Sequence, residues 1–144
     1  MTLGRIVVVW LHVAAAAAWV GGLLYASHVV VPAVRRGERG AAALLPRGRL
    51  VAWGAIGLLV LTGLENLRHA RAGSFWLMAK VLGALLVIPM AAHRDFALVP
   101  RAAAAIQQGE APVRALAGLV RLDRVLALLG VLLMLLWVGI ARGR

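Results

Sequence analysis

The chain has 144 residues, no cysteine and a formal charge of +11. It is 63% hydrophobic with a mean hydropathy of +0.92, which excludes an ordinary water-soluble domain; the lack of cysteine excludes disulfides, iron–sulfur clusters and thiolate metal sites. The charge comes from fifteen Arg and one Lys, most of them in short segments between apolar runs, a pattern of topology signals and lipid-headgroup contacts, with no nucleic-acid-binding face.

Four apolar stretches, Leu3–Pro32, Leu50–Leu67, Phe75–Leu98 and Ala115–Ile140, each suffice to cross a hydrocarbon core, which takes about 20 residues. They predict an all-α integral membrane four-helix bundle, one domain over 1–144 with four transmembrane spans at about 3–33, 50–68, 75–99 and 115–141. The first stretch is too long for a signal-peptide core and reads as a retained helix, ending near Pro32 and Arg35-Arg36-Gly37. Residues 37–49 read as a basic loop with a short helical piece at 41–45, before a second helix running to Arg68. Ser74 suits the N-cap of a third helix, which Pro89 bends and Pro100 can end. A polar link from Gln107 to Pro112 leads to the fourth, whose first half carries Arg121, Asp123 and Arg124 before the apolar 125–141.

Arginine placement sets an orientation. Ten arginines fall in loop 1–2 and between spans 3 and 4, against five on the other side, so the positive-inside rule puts both termini outside. The expected location is a bacterial-type inner (plasma) membrane. Small residues recur on the first three helices (Ala14–Ala18, Gly21, Gly22; Gly54, Gly57, Gly63; Gly83, Ala84). They allow close helix packing or leave room for a flat cofactor.

Depth sorts the ionisable residues into two layers. His12 and Lys80 lie early in helices that start outside, each about 9 Å outward of its span centre at 1.5 Å per residue. Glu65 and His69 share a face of helix 2 at or above the same level. A histidine in hydrocarbon must be paired or ligated, and neutral imidazole is a good axial haem ligand. His12 is therefore either an iron ligand, with Trp19 on the same face, or a hydrogen-bonding partner of a helix 2 hydroxyl or carbonyl. Lys80 meets an anion, such as Glu65 or a propionate, or snorkels to the interface. His69 is a reserve ligand or a loop histidine. His28 and His93 form a possible inner pair, with Arg35, Arg36 and Arg94 available to propionates, or mark the span ends. His12 and His28 point to different faces of helix 1, which favours one haem over two. Asp95 and Asp123 read as neutralising nearby arginines.

The run Trp10-Leu11-His12, Trp19 and Gly21-Gly22-Leu23-Leu24-Tyr25 resembles the first helix of the HemJ/CopD group of small membrane proteins. Arg49-Leu50 with Leu61-Thr62-Gly63-Leu64 is similar to the CopD second helix. Trp76-Leu77-Met78-Ala79-Lys80-Val81 looks like the third helix of HemJ, and Arg121-Leu122-Asp123-Arg124 resembles the last helix of both. The HemJ resemblance implies a haem-associated porphyrinogen oxidase using His12 and Lys80; the CopD resemblance implies copper uptake or tolerance. Cu(I) prefers soft ligands, and the four methionines form no motif, so the expectation is a b-type haem protein with a redox role, and copper the alternative. Candidate metal ligands are His12, His69, His28 and His93; Trp19, Lys80, Arg35 and Arg94 complete the cofactor contacts. Expected partners are the bilayer, a haem or porphyrin and an unidentified redox partner, with a homo-oligomer left open.

Overall fold

The computed structural model describes residues 2–38, 40–68, 75–108 and 113–142, without the side chains of Trp76 and of 137–142. Among the described residues all regular structure is helical, as hydrocarbon requires of a chain with no closed barrel, because each backbone group must be satisfied within its own segment. Four rods result. α1 is continuous over Leu3–Arg35, α2 covers Ala41–Arg68, α3 runs over 75–107, and α4 covers Val113–Arg142. Among the described residues, three helices are long and apolar enough to cross a membrane: Leu3–Arg35, Ala41–Arg68 and Leu77–Gln107.

α1 ends at the expected Arg35-Arg36-Gly37 run, passing through Pro32, whereas Pro100, expected as a helix end, does not end α3. α1 passes from α-helix (Leu3–Tyr25) through a π-helical turn (Ala26–Val30) back to α-helix (Val31–Arg35). α3 does the same, with α-helix over Phe75–His93, a π turn over Arg94–Leu98 and α-helix over Val99–Gln107. In each case a Val-Pro pair follows the π turn, and the valine N–H bonds the carbonyl five residues back, Val31 to Ala26 and Val99 to Arg94. A helical proline lacks an N–H and presses on the carbonyl four residues back; the wider turn opens the helix at that point. Pro89 sits inside regular α-helix.

α1 then stops in a Schellman motif. Gly37 takes φ +76°, its N–H bonds Val34 O at 3.0 Å, and the Glu38 N–H bonds Ala33 O at 3.1 Å; the left-handed position suits glycine. Most of the stretch read as a basic loop is the start of α2, Pro46 included. Leu45 is the reason: it is buried in a cluster with Val31, Val99, Ala102, Leu116 and Leu119, and that packing outweighs the one backbone bond Pro46 forfeits.

The rods pack in a ring, α1 against α2 and α4, and α4 against α3; α2 meets α3 toward its Val99–Gln107 end, while the Phe75–His93 stretch of α3 scarcely touches it. The central core joins Trp19, Leu23, Ile56, Val87, Ala91 and Leu126. Gly130 makes the α1–α4 approach possible. A Cβ there would lie 2.6 Å from Val20 Cγ2 and 3.2 Å from Trp19 Cζ3. The small residues expected to mediate packing are mostly elsewhere employed: Gly21, Gly22, Gly54 and Gly57 face open space.

Candidate functional site

The imbalance of the ring creates a cleft. All four helices wall a cavity of about 310 Å³ whose lining is aliphatic apart from His12, Trp19, Met134 and Lys80. Because α2 scarcely touches the Phe75–His93 stretch of α3, the cleft has a side that no helix pair closes.

His12 stands in this cleft with both ring nitrogens engaged. Its Nδ1 is 2.8 Å from Thr62 Oγ1 on α2. The Thr62 hydroxyl donates to Leu58 O at 2.6 Å, so its single proton is committed and its oxygen accepts. The Nδ1 therefore carries the imidazole proton. The Nε2 is then left with its lone pair, 3.4 Å from Lys80 Nζ on α3, which donates to it. Thr62 is buried and is the only Ser or Thr in α2. This chain of three groups orients the imidazole, favours one tautomer and leaves Nε2 as the basic nitrogen. His12 thus makes the helix 2 hydroxyl contact that was one of its two expected roles, and that contact leaves the Nε2 lone pair facing Lys80.

The other candidates separate from this pair. Trp19 is buried and walls the cleft on the side away from His12's own turn. His28 and His93 are exposed and line neither this cavity nor the second one described below. His28 Nδ1 lies 3.0 Å from Leu24 O and 2.9 Å from Ser27 Oγ. Arg35 is exposed. Glu65 accepts from Arg68 at 3.0 Å. His69 lies outside the described residues. Among the described residues no group of three or more His, Cys, Asp or Glu could hold a metal ion together.

Arg94 is buried and occupied. Its Nε donates to Asp123 Oδ1 at 2.5 Å and its Nη2 to Asp123 Oδ2 at 3.3 Å, while Nη1 donates to Asp95. Trp53 Nε1 on α2 donates to the other Asp95 oxygen at 2.9 Å. One network therefore ties α2, α3 and α4, and gives Asp95 and Asp123 the neutralising role read from sequence. Sequence reasoning anticipated a helix 2 hydroxyl for His12, and Thr62 supplies it; it missed the role of Trp53.

A second cavity, about 380 Å³, lies between α1 and α2 toward the arginine-rich end, with Trp19 at one end of its wall and Arg47 and Arg94 in its lining. A scan against protein-family models, a search of curated proteins and a search of solved structures each returned no match for this chain.

Proposed function

We propose that the chain is a four-span membrane protein, termini outside, that binds b-type haem in the His12 cleft and serves a redox role, as its resemblance to the HemJ group implies. The observation that carries this reading is the setting of His12: Thr62 is bound to Leu58 O at 2.6 Å and to His12 Nδ1 at 2.8 Å, which leaves Nε2 as an electron-pair donor in an apolar, four-helix cleft. That donor and surrounding fit an axial haem ligand. The cleft volume, about 310 Å³, is at the small end of ligand pockets, roughly 300–1,000 Å³, and the unclosed α2–α3 side leaves room for a larger flat molecule. His12 would hold the iron, Lys80 would pair a propionate or supply a second ligand, and Trp19 would flank the ring. Haem bound there supplies reversible one-electron transfer. The chain's own part is to exclude water with aliphatic walls and to keep the imidazole neutral and oriented.

No observation favours the copper alternative, since His12, His28 and His93 do not converge. The visible spectrum of protein purified from haem-replete cells tests the reading. An intense Soret band is expected, lost or strongly shifted in His12→Ala and reduced in Lys80→Met. A colourless wild-type protein that takes up no added haemin would overturn it. One haem per chain is expected by pyridine haemochrome assay, unchanged in His28→Ala and His93→Ala.

A further inference from the structure

The second cavity has a shape and a charge that suit a different occupant. Its wall runs from Ala18 to Val30 on α1 and from Leu44 to Ala52 on α2, roughly 12–18 Å along helices rising 1.5 Å per residue. A groove that is long, narrow at its walls and mainly apolar suits an extended hydrocarbon chain. The walls are mainly aliphatic, with Trp19 at the deep end.

The other end carries a cation at the right depth. Ile56 packs with Trp19 in the central core, and Arg47 precedes it by nine residues, about 13 Å along the axis. Half of a hydrocarbon core is about 15 Å, so an exposed arginine there extends its guanidinium to the headgroup level. Neighbouring arginines are engaged: Arg36 with Glu38 at 2.7 Å, Arg94 with its two aspartates, and Arg49 over the Phe96 ring at 5.5 Å. No ion pair to Arg47 occurs among the described residues.

We propose that this cavity holds one acyl chain of an anionic phospholipid whose phosphate is bound by Arg47. The lipid fills the groove along α1 and α2 and packs on Trp19, which also lines the His12 cleft. A basic pocket between membrane helices is a known physical recipe for anionic headgroups, and here it is joined to a long, mainly aliphatic slot. The inference uses neither His12 nor Lys80 and stands apart from the haem reading.

The full chain, delipidated in mild detergent and offered phosphatidylglycerol or phosphatidylcholine, is examined by native mass spectrometry. One phosphatidylglycerol per chain is expected to survive activation that strips phosphatidylcholine. Arg47→Gln should weaken its retention about fivefold, the value of one cation near a headgroup. Gly22→Leu should abolish retention of either lipid with unchanged helical circular dichroism, because a Cβ at Gly22 meets no atom within 4 Å and the side chain enters the slot. If that variant does not fold, Gly48→Leu, equally unobstructed, fills the slot from α2. Equal retention of the two lipids by the wild type, or undiminished lipid in a folded slot-filled variant, would overturn the proposal.

Discussion

At the scale of single residues, one hydroxyl decides what His12 can do. Thr62 has one proton, and its 2.6 Å bond to Leu58 O spends it, so the imidazole must donate from Nδ1. Thr62→Val keeps the shape of the side chain and removes the acceptor. Losing an outer-shell partner of a ligating histidine costs about 10–100-fold in affinity; haemin titration of Thr62→Val should show a loss in that range, and Thr62→Ser should largely restore binding. Equal affinity in all three proteins would detach Thr62 from the site. The Arg94 network makes a different prediction. One buried guanidinium serves two buried carboxylates, so its removal strands both. Arg94→Gln should destabilise by about 3–5 kcal/mol, the cost of breaking a buried pair. Asp95→Asn should cost far less, since Asp123 still neutralises the arginine and the asparagine oxygen can still accept from Trp53. Thermal unfolding in detergent, followed by circular dichroism, ranks the two.

Among the elements, the π turns carry information that the sequence pattern hides. Each holds one residue more than an α-helical turn would, so deleting a residue within it restores regular helix and preserves the phase on both sides. Removal of Ala97 should leave Ala91 upstream and Val99 and Ala102 downstream on their buried faces, with a melting temperature close to wild type. Removal of Leu85, within regular α-helix, rotates part of α3 by about 100° and should abolish cooperative unfolding. The helices themselves were legible in the sequence because hydrocarbon permits little else, and the depth arithmetic that set His12 and Lys80 in one layer agrees with their 3.4 Å approach. Helix extents were not legible. The end of α1 at Arg35-Arg36-Gly37 was legible, but Pro100 reads as a stop because a proline lacks one bond, and only the packing of Val99 and Leu45 against Leu116 and Leu119 shows why α3 continues. The ring order was equally hidden, since nothing in a run of leucines says that the Phe75–His93 stretch of α3 stands off α2.

For the whole molecule, length sets the arrangement in the bilayer. α1 has 33 residues, about 50 Å of helix at 1.5 Å per residue, against a hydrocarbon core of about 30 Å. The arginine-rich end has its own core of Val31, Leu45, Ala102, Leu116 and Leu119, which keeps the rods together there. α4 has a membrane-compatible second half and a first half bearing Arg121, Asp123 and Arg124. Asp123 is fully buried against Arg94, so the charge that interrupts the apolar run is neutralised inside the bundle and need not keep α4 out of the membrane. The proposed four-span reading makes the number of spans even and sets both termini on one side, and the surplus of arginines in the two long connections predicts that side to be the outside. Single cysteines at Thr2, Glu38 and Gln108 (Thr2→Cys, Glu38→Cys, Gln108→Cys) test this directly, since the natural chain has none. In intact cells Thr2→Cys should react with an impermeant maleimide, while Glu38→Cys and Gln108→Cys should react only after permeabilisation. Reaction of Glu38→Cys in intact cells would invert the orientation. A cysteine in place of Arg144 extends the test to α4. Labelling like Thr2→Cys means that α4 crosses, and labelling like Gln108→Cys means that only three helices do.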